Sequence, residues 1–114
     1  MNDEALQRLQ KLVGGPRDGA LLRFGLANEY VRLEQWSQAI REARAALAFQ
    51  HDYSAAWKLL GKALQADGDL PAALQAYREG IAIAEQRGDK QAAKEMTVFA
   101  RRIEKTLAAT GDAS

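Results

Sequence analysis

No cysteine occurs anywhere in the chain, which excludes a disulfide framework, a thiolate nucleophile and a cysteine-ligated zinc. That lack is compatible with a reducing compartment. No segment approaches the roughly 20 consecutive apolar residues of a membrane span, and the opening MNDEALQRLQKLVGG lacks the apolar run of a signal peptide. A soluble, cytoplasmic protein with no membrane partner is therefore expected. Neither sign of charge prevails, since 16 basic and 15 acidic side chains leave a formal net charge of +1. Such a balance carries no electrostatic footprint for nucleic acid. Aromatic residues are 7% of the chain and β-branched residues are few. What remains is rich in alanine, leucine, glutamine, glutamate, arginine and lysine, the strong helix formers, so an all-α fold is expected. At 114 residues the chain is long enough for one domain with one core.

The punctuation divides the sequence into six helices. Asp3 is placed to cap a short first helix with apolar positions Leu6, Leu9 and Val13, and Gly14-Gly15-Pro16 breaks it. A second helix, opened by Asp18, carries Leu22, Leu26, Tyr30 and Leu33 on one face and ends near Glu34. The third carries Trp36, Ile40, Ala43 and Leu47. A fourth begins near Tyr53 or Ser54 with Trp57, Leu60, Ala63 and Leu64, and stops at Asp67-Gly68-Asp69. Gly68 suits the left-handed residue after a helix, Asp69 the next cap, and Pro71 the first turn of the fifth helix. That helix should bury Ala73, Leu74, Tyr77, Ile81 and Ala84. Gly88-Asp89 repeats the same punctuation. The sixth helix, from about Lys90 to Ala108, has the stripe Ala93, Met96, Ala100, Ile103 and Leu107, narrow enough to cover one end of a core. Arg101, Arg102 and Lys105 lie near its C-terminus, where they favour the helix dipole.

An internal repeat organises these helices. Aligning Ala39 with Ala73 gives two units, 20–53 and 54–87, each 34 residues long. In the second unit Trp57, Leu60, Gly61, Leu64, Gly68, Asp69, Ala73, Tyr77 and Gly80 fall at spacings that resemble the tetratricopeptide repeat. The first matches through Leu26, Ala27, Tyr30, Ala39, Ala46 and Leu47 and departs at Arg23 and Ala43. Both lack the family's late proline and have His51 and Glu85 there. The resemblance implies a right-handed α-α superhelix of helix hairpins. The expected layout is an N-terminal helix and linker over 1–17, repeats over 20–53 and 54–87, a C-terminal capping helix over 88–110 and a disordered tail over 111–114. In the strict repeat register the sixth helix would put Lys94 and Glu95 at the leucine and glycine positions, so it is read as a terminal helix with its own register.

Little in the sequence can do chemistry. His51 stands alone in a turn without a cysteine or carboxylate constellation and is read as a solvated loop residue rather than a general base. Asp67, Gly68 and Asp69 lack the further oxygen ligands and closing glutamate of a calcium loop, so they are read as caps. Gly14-Gly15-Pro16 matches no phosphate-binding pattern. Trp57 and Tyr77 occupy core positions of the repeat and are assigned to packing rather than base stacking. Trp36 either packs between units or stays partly exposed. The expectation is a non-enzymatic chain without metal or cofactor.

The resemblance also implies where function lies, because the first helix of each hairpin lines the concave face on which family members bind peptides or helices of other proteins. Here that face carries Leu21, Phe24, Asn28, Val31 and Arg32, then Ala55, Lys58, Lys62, Gln65 and Ala66. Leu21, Phe24 and Val31 are not needed for the buried stripe of their helix. Either they meet a partner or the first helix, through Leu6, Leu9 and Val13, covers them. Lys58 and Lys62 lie one turn apart and, with Asn28 and Arg32, could hold carboxylates of a partner. Some family members clamp a C-terminal carboxylate with lysines, asparagines and arginine; of that set Asn28 matches, while Phe24 and Leu59 replace two members. The groove residues expected are thus Leu21, Phe24, Asn28, Val31, Arg32, Lys58, Lys62 and Gln65, serving a protein or peptide partner. The alternative is homodimerisation through the exposed sixth helix or the apolar face of Phe24 and Val31.

Overall fold

The structure, a computed structural model, describes residues 3–111, and within them every element is helical. The helices are α1 (Glu4–Gln10), α2 (Ala20–Arg32), α3 (Trp36–Phe49), α4 (Ser54–Ala66), α5 (Leu70–Gln86) and α6 (Lys90–Ala109). Residues 112–114 of the expected tail lie outside the described residues.

Each helix packs mainly on its sequence neighbour, and α4 also touches α2 on one side and α6 on the other. That pattern is a helical repeat superhelix, with α2, α4 and α6 forming one layer and α3 and α5 the second. The radius of gyration is 14.7 Å, against about 13 Å for a compact 100-residue domain. Stacking hairpins in a row elongates the molecule.

Small residues set the spacing between helices. Ala27, Ala39, Ala43, Ala46, Ala56, Ala63, Ala73 and Ala84 are completely buried, so backbones approach closely and larger side chains fill the gaps between them. Two glycines mark the tightest approaches. A Cβ on Gly61 would stand 2.6 Å from Cε1 of Tyr77, and one on Gly80 would stand 2.5 Å from Sδ of Met96 and 2.8 Å from Cβ of Trp57. Tyr77 and Met96, both deeply buried, thus occupy the volume that a larger residue would need. Burial pushes the Tyr77 hydroxyl up to about 12, because the phenolate would lose its hydration.

The α6 stripe of Ala93, Met96, Ala100, Ile103 and Leu107 is buried in full. Several other expectations need correction. Asp18 does not cap α2; the helix starts after Gly19, and the Asp18 carboxylate accepts from the Gly14 amide and from Arg23. Val13 lies beyond α1 in a turn and is 41% exposed, so α1 covers its neighbour with Leu6 and Leu9 alone. Trp57 packs against the core as expected but is only half-buried, and its indole Nε1 donates to the His51 carbonyl at 2.8 Å. Arg101, Arg102 and Lys105 stand above the last turn of α6, which holds no basic residue. Trp36 packs against the cluster of Tyr30, Ala39 and Ala63 while staying partly exposed, so both of its readings hold in part.

Candidate functional site

The residues nominated for the groove lie on α2 and α4. On α2, Leu21 is 77% exposed, because the core stripe of Leu22, Leu26 and Tyr30 turns it outward. Phe24 is half-buried against the core, and its ring lies 4.9 Å from the ring of Tyr53 at the start of α4. Val31 packs between the two core clusters. Asn28 is exposed and its amide donates back to the Phe24 carbonyl at 3.3 Å. Leu21 and Asn28 are therefore the freely presented groups of α2, while Phe24 and Val31 contribute only part of their surface.

The question of a cover is answered by where α1 sits. Leu9 reaches the open side of Gly25, with its Cδ1 3.6 Å from where a Cβ would stand. Gln10 donates to the Tyr30 hydroxyl at 2.8 Å, and Asp3 forms an ion pair with Arg32. Gly25 and Arg32 lie one turn along the same side of α2 from Leu21 and Asn28, and Arg32 is itself one of the nominated residues. The first helix thus engages the Arg32 end of the nominated face and leaves Leu21 and Asn28 exposed.

The cations of this face are not equivalent. Arg32 is held by both Glu29 and Asp3; its own pKa is raised, first by the Glu29 hydrogen bond and then by Asp3. Lys58 reaches across to Glu95 of α6 at 2.9 Å, and that bond holds the Glu95 carboxyl below its ordinary value. Lys62 and Gln65 are exposed and make no hydrogen bond or ion pair among the described residues. The pair read as a basic patch thus resolves into one cation engaged within the fold and one available to a partner.

Sequence reasoning missed the contribution of α6. Glu95 faces Lys58, and Phe99 packs partly buried with its ring 5.5 Å from that of Tyr77. Both lie four residues apart just off the buried stripe, a spacing that would have placed them on the α4 side. Also missed was a cleft of about 370 Å³ on the α3–α5 side, floored by Trp57, Leu60 and Leu64 and rimmed by Arg44, His51 and Glu79. His51 sits edge-on to Trp57, with ring centroids 5.4 Å apart. Among the described residues no cluster of three or more histidine, aspartate or glutamate side chains could hold a metal ion, and no helix is long and apolar enough to cross a membrane.

Comparison with known proteins supports the architecture. No protein-family model matches the chain. It is 45% identical over 100 residues to the TPR repeat-containing protein PA0015 of Pseudomonas aeruginosa, covering 88% of this chain and 95% of that one. It is 34% identical over 73 residues to the chloroplastic tetratricopeptide repeat domain-containing protein PYG7 of Arabidopsis thaliana, covering 64% of this chain and 24% of that much longer one. Among solved structures, protein BPP2914 of Bordetella parapertussis superposes with a TM-score of 0.81 at 43% identity, covering 96% of this chain and 94% of that one. MamA shares the fold, with a TM-score of 0.66 at 21% identity over 91% of this chain and 69% of its own. The 34-residue spacing, the hairpin packing around Gly61 and Tyr77 and these likenesses agree: the chain belongs to the tetratricopeptide repeat family.

Proposed function

We propose that the chain is a non-catalytic protein-interaction module that binds a peptide or helix of another protein across the face of α2 and α4. The observation that carries this reading is an apolar side chain, Leu21, 77% exposed, on the same layer as Lys62, a cation with no partner among the described residues. Phe24, Val31 and Asn28 extend the apolar and polar contact between them. Gln65 continues the α4 side one turn beyond Lys62. A partner segment with an apolar anchor and a carboxylate satisfies both ends. The helices hold these groups rigidly, so little ordering cost opposes binding.

Photocrosslinking tests the reading. A photoreactive residue at Leu21 or Lys62 is expected to capture a protein partner in cell extract, whereas the same residue at Arg41, exposed on α3, is expected to capture none. Equal capture at all three positions, or adducts composed solely of two copies of this chain, would overturn it. The second outcome would support homodimerisation instead.

A further inference from the structure

The terminal helix α6 carries five cations, Lys90, Lys94, Arg101, Arg102 and Lys105, and among the described residues none of them takes part in an ion pair. Its two acidic residues are both neutralised from other helices. Glu95 is paired with Lys58 of α4 at 2.9 Å, and Glu104 with Arg78 of α5 at 2.7 Å. The fold therefore draws the negative charge of α6 inward and leaves its positive charge facing out. A chain close to neutral overall has one strongly cationic surface.

The cations are aligned. At 100° per residue, Lys90, Lys94, Arg101 and Lys105 fall within about 60° of arc and extend about 22 Å along the axis. The centre of this row is turned about 130° around the helix from that of the buried stripe of Ala93, Met96, Ala100, Ile103 and Leu107, on the exposed side of α6 next to the end of α5. It is not featureless. Between α6 and the end of α5 lies a depression of about 440 Å³, lined by Ala93, Thr97 and Val98 between Lys90, Lys94 and Arg101, with Glu85 at its edge. Val98 is 44% exposed there.

We propose that this outward face of α6 docks an acidic helical segment of a partner protein. Carboxylates one turn apart would meet the cation row, and one apolar side chain between them would enter the depression against Val98. A second copy of this chain does not supply that pattern. Among the described residues, its acidic side chains outside ion pairs and helix N-caps, Glu4, Glu34, Asp67, Glu79 and Glu85, are scattered over two helices, α1 and α5, and two turns. A phosphate backbone would match the cations but offers nothing to Val98 and meets Glu85 at the rim. This surface lies apart from the Leu21–Lys62 face, so the two proposals stand or fall separately.

The test is fluorescence anisotropy of the full chain with a labelled amphipathic peptide rich in glutamate and carrying one leucine every second turn. Single-stranded DNA and phosphatidylserine vesicles serve as competing probes. The peptide is expected to bind, and binding should weaken as salt screens the contact. Lys94→Glu/Arg101→Glu should weaken it by about tenfold or more, and the milder Lys94→Gln/Arg101→Gln by about threefold. Val98→Ser should also weaken it. The charge-matched Arg8→Glu/Lys11→Glu, on exposed residues of α1 and the turn after it, should change it by less than about twofold. Circular dichroism verifies that each variant is folded. Equal weakening by the α6 and α1 variants, absence of peptide binding by the wild-type chain, or tighter binding of DNA or vesicles through the same α6 residues would each overturn the proposal.

Discussion

Where the second hairpin, α4–α5, sets the Tyr77 ring into the space left by Gly61, the first, α2–α3, has Ala43 and Ala27 at the equivalent places, both fully buried. The half-buried Trp57 of the second is replaced in the first by Arg23, held between Asp18 at 2.9 Å and Glu42 at 3.1 Å and lying over the Phe49 ring. The inter-helix turns differ as well. Gly68, at φ 91°, is followed by Asp69, whose side chain caps the Ala72 amide, whereas the first hairpin has Glu34 at φ 56° followed by Gln35, which makes no cap bond. One backbone plan is thus held by aromatic filling and capped turns in one hairpin, and by alanine packing and a charged clamp in the other. The comparison teaches that the repeat specifies where helices approach and leaves open which chemistry fills the space.

Removing the filling should separate the hairpins most. Tyr77→Ala is expected to destabilise the chain by about 3–5 kcal/mol in urea denaturation, because the ring leaves a cavity. Ala43→Gly, at the equivalent place, should cost only about 1 kcal/mol through helix propensity. Gly61→Ala should destabilise by about 2–3 kcal/mol, since its methyl would overlap the ring. In a Tyr77→Ala background that penalty should disappear, and a double-mutant cycle with no coupling would show that the close approach is not what requires glycine.

Glu34→Gly should stabilise by about 1 kcal/mol, because glycine takes a left-handed conformation without the Cβ penalty. Gln35→Asp should add about 0.5–1 kcal/mol by supplying the missing cap. If either is neutral, the turn of the first hairpin is not its weaker point. The remaining contrast is read from the dependence of stability on pH. Hydrogen bonding from Arg23, and then from the Gly14 amide, holds the Asp18 carboxyl well below its ordinary value. Its contribution is therefore present above about pH 4 and is lost as pH falls below that toward the lowered value. Asp18→Asn should lower Tm at pH 6 and narrow the difference from wild type at pH 2, whereas Trp57→Phe should show no such convergence.

Much of the helical plan was legible because it rests on short periods. The α6 stripe could be read from spacings of three and four, and Gly68-Asp69 and Gly88-Asp89 from the geometry of stops and caps. Asp18 misled because an aspartate before a helix resembles a cap, while its partner Arg23 lies inside the helix. For the candidate site, the α2 and α4 residues followed from the repeat, but the state of each did not. Phe24 is partly hidden by Tyr53, and Lys58 is engaged by Glu95, 37 residues further on. No local pattern encodes such pairs.

By itself the sequence determined the helices, their order and the pairs of small residues at which they approach, because propensity, capping and 3.6-residue periodicity act within a turn or two. Tertiary structure alone decided that α1 docks beside Leu21 rather than over it, and that Lys58 is bound while Lys62 is free. It also decided that both acidic residues of α6 face other helices while its cations face outward. Exposure and ion pairing depend on which distant side chains arrive at the same surface, and only the packed hairpins bring them there.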